Sequence, residues 1–413
     1  MLRGIKVRLY PSKEQATMLN KLLGCCRFVY NQSLALKKDA YDKDKTSLGL
    51  TDLGCNLHQN LLKNPEYSWL NEQNTKVLKQ SARHVLKAYE NFFKGNADFP
   101  RFKSKKDKQS ATFPLEAISK RNTFEERTIT LTKDFKNLKF KCSDLYLKRL
   151  RKHKDKIRSA TVSKTKGGNY FLSILVDVPQ EELVKFKHTA KHVGIDMGVK
   201  DFAITSDGVR YKNLHFFKTQ EKKIKKLNKQ LSKKQKGSKN REKQRIRLAR
   251  AYERLTNKRE AYIHSVVNSL LGEYDLIFME DLNVKGMLRN HKLAKSIQEV
   301  GLGRFREVLL DKANVNGKQV VFVNRFYPSS KTCSNCGCIK HDLTLKDREW
   351  VCLACGAVHD RDLNAAVNVL HEGIRTIGGR TAESTLAENP TADDRSEMNL
   401  KSSGSMKQEE MNQ

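Results

Sequence analysis

The sequence has no apolar run approaching the roughly 18 residues that a membrane-spanning helix needs. It carries no lipidation signal and no amphipathic anchor, so nothing points to a membrane surface. Its opening, Met1-Leu-Arg-Gly-Ile-Lys6, lacks the apolar core of a signal peptide, and the expected location is the cytoplasm, associated with the nucleoid. No internal repeat is present, which excludes a solenoid. Above all, negative charge is scarce: 46 Asp+Glu stand against 80 Lys+Arg, a net +34 over 413 residues. Such an excess repels itself in a compact state unless a polyanion is bound. The partner this implies is nucleic acid, held through many phosphate contacts whose strength falls steeply with salt. The length allows two to four domains.

Cysteine is present in a specific pattern. In a reducing compartment, paired cysteines are metal ligands more often than disulfides. Cys333/Cys336 and Cys352/Cys355 are two Cys-x-x-Cys pairs separated by 15 residues, each followed by glycine (Gly337, Gly356) as tight knuckle turns require. Four thiolates leave no open coordination position, so the expected ion is one structural Zn²⁺. Cys338 could compete as a ligand but reads as a spare thiol; Cys25, Cys26, Cys55 and Cys142 read as core residues.

Along the chain, Ile5, Val7 and Leu9 alternate with Lys6 and Arg8 as in a strand. Pro11 and Ser12-x-x-Gln15 form a helix start with a capping box, followed by a stripe at Leu19, Leu22/Leu23, Cys26 and Val29/Tyr30. A second helix is predicted from about Asn74 to Phe93, which makes 11–95 a helical insertion. Residues 96–188 change to short strand signals, with a hairpin turn at Gly167-Gly168, and read as a small β-barrel completed by the N-terminal strand. Arg101 and Lys103, interleaved with Phe99 and Phe102, suit stacking and phosphate contacts.

From about residue 190 new strands begin, Val193–Val199 and Phe202–Thr205, with a turn at Ser206-Asp-Gly208. Residues 218–260 then hold 18 Lys/Arg against 4 Glu with helical spacing, read as a helical hairpin that tracks a phosphate backbone. Buried strands are predicted at Asp275–Leu282 and Gln319–Val323, and helices near Gly301–Asn314 and from Asp362 to about Leu370. Residues 372–413 hold 5 basic and 8 acidic residues without apolar periodicity, and a disordered tail is expected from 376.

Three acids sit on these elements: Asp196 centrally in the first strand of this region, Glu280 at the end of a neighbouring one, and Asp362 at the start of the last helix, where it could also cap it. Three converging carboxylates suit two Mg²⁺ ions about 3.5–4 Å apart, the arrangement that hydrolyses phosphodiesters. Gly194 and Gly198 flank Asp196 and would allow a close approach of backbone and phosphate. Glu280 is followed by Asp281, and Asp362 preceded by Asp360; alternation alone does not decide which of each pair faces the site.

These residues resemble the TnpB (OrfB) family of insertion-sequence-encoded RNA-guided DNA endonucleases, related to compact type V CRISPR effectors. The carrying motifs are Val193-Gly-Ile-Asp196-Met-Gly-Val199, Phe278-Met-Glu280-Asp-Leu-Asn283, Tyr327-Pro-Ser-Ser-Lys331-Thr-Cys333-Ser-Asn-Cys336, Val351-Cys352-Leu-Ala-Cys355 and Asp360-Arg-Asp362-Leu-Asn364. The resemblance spans most of residues 1–371 and implies a multidomain α+β fold. Its parts would be a wedge-type β-barrel (1–10 and 96–188), a helical recognition domain (11–95), an RNase H-like (RuvC) α/β nuclease domain (189–331 and 357–375) and a zinc ribbon (332–356). It favours Glu280 over Asp281, and makes Asp196, Glu280 and Asp362 the catalytic, Mg²⁺-binding acids. It also implies a guide RNA, a double-stranded DNA target beside a short motif read near Lys76 and Gln80, and a nucleic-acid contact at Lys331. The alternatives are a nuclease-inactive RNA-guided regulator, which the three intact acids disfavour, and a strand-transfer transposase, which the residues alone do not separate from a hydrolase.

Overall fold

The computed structural model describes residues 1–344 and 346–381. They form two compact units, the first Met1–Pro179 and the second beginning at Gln180. The division precedes the expected boundary at 188. The backbone amides of Lys185 and Phe186 donate to Asn316 Oδ1 (2.6 and 3.1 Å), which ties this linker to the second unit.

The first unit is built on an antiparallel sheet of six strands: β1 (Leu2–Tyr10), β2 (Gln109–Pro114), β3 (Thr128–Ile129), β4 (Leu138–Lys141), β5 (Ile157–Lys164) and β6 (Tyr170–Asp177), in the order β2-β5-β6-β1-β4-β3. The N-terminal strand is central, and its alternation is realised in burial: Ile5, Val7 and Leu9 face the core, with Ile5 opposite Ile174 and Val7 opposite Leu172. The expected β-barrel is found as an open six-stranded sheet with β2 and β3 at its edges. Its edge strand β3 is two residues long and pairs with β4 alone among the described residues.

Between β1 and β2 lie α1 (Lys13–Asp44), α2 (Leu50–Cys55), a π-helical turn, a 3₁₀ segment and α3 (Thr75–Phe93). Ser12 Oγ accepts from the Gln15 amide while the Gln15 side chain accepts from the Ser12 amide, the capping box read from the sequence. Asn74 caps α3. A short helix unmarked by the sequence reading, α4 (Asp144–Lys152), connects β4 to β5.

The second unit has a five-stranded sheet, ordered β11-β10-β7-β8-β9, from β7 (His192–Asp196), β8 (Asp201–Thr205), β9 (Arg210–Lys212), β10 (Leu276–Glu280) and β11 (Gln319–Val323). β7, β8 and β9 form an antiparallel meander; β10 runs parallel to both β7 and β11. Between β9 and β10 runs the basic hairpin, α5 (Phe216–Ser232) and α6 (Lys239–Glu273). Next come α7 (Val284–Met287), α8 (His291–Val300) and α9 (Leu302–Val315). One core packs Ile263, Val267 and Leu270 of α6 and Phe305 and Leu309 of α9 against Val193, Ile195 and Ile277 of the sheet. The final helix, α10 (Arg361–Thr381), puts Val369 and Leu370 against Phe278 and Val323. It continues beyond the expected start of the tail at 376; the rest of that predicted tail, 382–413, lies outside the described residues.

Gly194 explains how α10 approaches the sheet. A Cβ there would lie 2.2 Å from Ala366 O and 2.5 Å from Leu370 N. The close approach that glycine permits is thus to a helix, not to a phosphate as expected from its place beside Asp196. Gly373 does the same from the helix side, since a Cβ there would overlap the Phe278 ring at 2.0 Å. No helix among the described residues is long and apolar enough to cross a membrane.

Candidate active site and metal centre

Parallel neighbours β7 and β10 pair with Met279 opposite Ile195, so the next residues along, Glu280 and Asp196, emerge side by side at the C-terminal ends of both strands. α10 brings Asp362 in its first turn. All three line one cavity of about 750 Å³, together with Tyr327–Lys331, Arg325, Arg348 and Arg361.

Both sequence ambiguities are resolved by contacts. Asp281 points into a second cavity, clamped between Arg306 and Arg325. Asp360 accepts from the Leu363 amide (2.9 Å) and pairs with Arg210 (3.0 Å), so Asp360, not Asp362, caps α10. This leaves Glu280 and Asp362 facing the cavity.

The electrostatics are those of crowded, half-dried anions. The Asp196 carboxyl is pushed up to about 7, chiefly by withdrawal from water and then by the negative charges of Glu280 and Asp362; Arg361 and the Met197 amide oppose the rise. Burial also raises Glu280, opposed by the hydrogen bond that Ser329 Oγ donates to its Oε1. Asp362 accepts from Arg348 Nη1 at 3.1 Å and from Arg361 Nη2 at 2.9 Å. A proton held at Asp196 near neutral pH marks anionic charge that the side chains around it do not match. Hard carboxylate oxygens in that state fit a divalent cation such as Mg²⁺.

The loop carrying Ser329 is fixed from α10. Asn368 Nδ2 donates to Ser329 O (2.8 Å) and Thr332 O (2.6 Å), and Asn364 Nδ2 donates to Thr332 O (2.7 Å). Asn364 Oδ1 accepts from the Ser334 amide (2.9 Å). Both asparagines are buried, one helical turn apart on an apolar face. That placement was a readable signal for Asn368, which the sequence reading missed. Arg348, Arg361 and Ser329 were missed too. Ser329 and Arg361 lie inside quoted motifs, whereas nothing local marks Arg348.

Beside the cavity, β12 (Glu349–Val351) and β13 (Val358–Asp360) form a two-stranded ribbon. The sulfurs of Cys333, Cys336, Cys352 and Cys355 all lie within 4.8 Å of one another, with Cys333–Cys355 and Cys336–Cys352 at 3.6 Å. Tetrahedral zinc with Zn–S bonds of about 2.3 Å sets its sulfurs about 3.8 Å apart, so this donor set fits it. Cys338 is exposed and outside the cluster. His359 Nε2 lies 3.0 Å from Cys333 Sγ, an outer-shell contact.

The five residues expected to touch nucleic acid lie in different places. Lys76 and Gln80 line a shallow cavity of about 210 Å³ with Lys79, Arg83 and Glu116, where Lys76 Nζ donates to Glu116 O at 3.3 Å. Arg101 is exposed and paired with Asp98 at 3.2 Å. The Lys103 ammonium sits 3.6 Å from the Tyr30 ring centroid, and burial lowers its pKa. Lys331 lines the acid cavity, its Nζ donating to His341 O at 2.8 Å.

Comparison with known proteins agrees with this architecture. Residues 173–291 match the OrfB_IS605 family, described as "Probable transposase", and residues 303–369 match "Cas12f1-like, TNB domain". Residues 1–46 match "Helix-turn-helix domain", although here they form β1 and the single helix α1. A protein of Streptomyces pristinaespiralis named "Putative RNA-guided DNA endonuclease" is 33% identical over 373 residues, covering 90% of this chain and 89% of that protein. The Escherichia coli protein "Putative RNA-guided DNA endonuclease InsQ" is 27% identical, covering 90% and 92%. Among solved structures, the Cas12f1–sgRNA–target DNA complex aligns with TM-score 0.55 at 18% identity, covering 87% of this chain and 83% of that one. The mini-RNA-guided endonuclease CRISPR-Cas_phi3 aligns with TM-score 0.53 at 10% identity, covering 91% and 92%. The structural likenesses are of fold; the sequence match carries the family. The chain belongs to the TnpB (OrfB) family of proteins related to type V effectors.

Proposed function

We propose that the protein is an RNA-guided, Mg²⁺-dependent endonuclease that cuts double-stranded DNA matched to its guide and flanked by a short motif. The observation that carries this reading is the convergence of Asp196, Glu280 and Asp362 on one cavity, where Asp196 is raised chiefly by its withdrawal from water and then by the other two charges. The names of its relatives support it. The second unit would be the RuvC-like nuclease domain with its inserted zinc ribbon. In the first, the open sheet would be the wedge and the helices 11–95 the recognition domain.

Asp196, Glu280 and Asp362 would hold two Mg²⁺ ions, and Cys333, Cys336, Cys352 and Cys355 one Zn²⁺. Bound there, the magnesium pair would activate a water and steady the leaving oxygen. To serve as a ligand, Asp196 would have to be ionised. Ser329 orients Glu280, and Arg348 and Arg361 hold Asp362. Lys331 on the cavity wall supplies positive charge for the scissile phosphate.

The test is cleavage of matched double-stranded DNA by the purified protein with its co-purifying RNA. Asp196→Ala should abolish cutting, a loss of at least about a thousandfold, while DNA binding persists. Undiminished cutting in that variant removes Asp196 from the mechanism. Product joined to a second DNA would instead mark strand transfer.

A further inference from the structure

Beside the acid cavity lies a second one of about 440 Å³, bounded by Asp281, Arg306, Phe322, Arg325 and Phe326. Arg325 lines both. Phe326 is 86% exposed. It is nonetheless held in a defined turn: its amide donates to Asn324 Oδ1 (2.9 Å) and the Tyr327 amide donates to Asn324 O (3.1 Å). A bare aromatic on a fixed turn adds nothing to the core, yet it is preorganised for a flat partner. The wall behind it is already layered, with the Arg306 guanidinium 3.9 Å from the Phe322 ring centroid. Asp281 is shared by two arginines, which leaves one net positive charge at this spot.

An isolated exposed phenylalanine is ordinary on a protein surface. This one combines a cavity, a cationic lining and an arginine shared with the acid cavity. A protein partner would need a wider apolar patch. A free phosphate would have no use for the ring. An unpaired nucleotide offers both a π-face and an anion.

We propose that Phe326 and its side cavity bind an unpaired nucleobase of the strand being cut, with Arg325 taking the adjoining phosphate, so that the next phosphodiester lies over the acids. The proposal rests on the nuclease reading above. It makes Phe326 a positioning residue.

The experiment uses the full chain with its co-purifying RNA and a single-stranded oligodeoxynucleotide carrying 2-aminopurine, a fluorescent base that dims when stacked. Binding is read with no Mg²⁺ added, so that nothing is cut and the zinc ribbon stays loaded. Wild type should quench the probe. Phe326→Ala should lose most of the quench and bind about tenfold more weakly, as loss of one stacked base predicts, and Phe326→Tyr should restore both. With Mg²⁺, Phe326→Ala should raise KM for single-stranded substrate and also lower kcat, since the scissile phosphodiester is no longer held in register over the acids, and Phe326→Tyr should restore both. If Phe326→Ala quenches and binds as wild type does, the base site is wrong. Should wild type cut matched DNA in that case, the nuclease reading survives alone. Should Phe326-dependent quenching appear without any cutting, the base site survives and the nuclease reading falls.

Discussion

At the scale of a residue, Asp196 sets the behaviour of the site. Its carboxyl ordinarily titrates near 3.8 and here near 7. A carboxyl raised by folding stabilises the fold fully below its unfolded value, and that contribution is lost as pH rises through the folded one. Above pH 7 the metal-free protein therefore carries an unmatched buried charge, a penalty on the order of 4 kcal/mol by the size of the shift. Asp196→Asn keeps the shape and removes the charge. We expect it to raise the melting temperature of the metal-free protein by several degrees at pH 8, with the gain shrinking as pH falls from 7 towards 4. A variant melting at or below wild type at pH 8 would show that no such penalty exists. The same proton must leave when a divalent cation binds. Affinity for Mn²⁺, used as a probe, should climb with pH up to about 7 and then level, with proton release visible by calorimetry in buffers of differing ionisation enthalpy.

At the scale of an element, α10 organises the site. It crosses β7 at Gly194, delivers Asp362, and through Asn364 and Asn368 fixes the loop that holds Ser329 on Glu280. Gly194→Ala would drive a methyl into the helix backbone, which cannot yield as a side chain could. A loss of about 3 kcal/mol or more is expected in urea unfolding. Gly303→Ala, in α9, meets nothing within 4 Å and should stabilise by up to about 1 kcal/mol. Equal effects from the two would mean that the contact at Gly194 does not constrain the fold. Several of these elements could be read directly from the sequence. The capping box at Ser12, the alternation of β1, the basic hairpin and the Cys-x-x-Cys knuckles are each encoded within a few residues. Glu280 and Asp362 could be found because one ends a strand and the other begins a helix, whereas Asp196, expected in mid-strand, ends β7. What escaped depends on distant partners. Arg348 reaches Asp362 only once the ribbon has folded back, and Asp360 becomes the cap only because Arg210 and the Leu363 amide hold it. The sheet stays open for a similar reason, since the brevity of β3 is settled by its pairing and not by its composition.

At the scale of the whole molecule, a net charge of +34 dictates how affinity is obtained. A folded chain with that surplus gains by releasing counterions from a polyanion, and each phosphate neutralised on a single strand contributes about 0.7 to the slope of log K against log salt. The hairpin of α5 and α6 carries much of the surplus. Lys222, Lys223, Lys226 and Lys229 on α5 are exposed, so they cost the fold little to hold or to lose. Replacing all four by alanine should leave the melting temperature within a few degrees of wild type. If each meets a phosphate of the co-purifying RNA, the salt slope should flatten by about 3, and the binding deficit should be largest at low salt and fade as salt rises. An unchanged slope would place the RNA backbone elsewhere and reduce the hairpin to a solvated surface, leaving the remaining positive charge to account for binding.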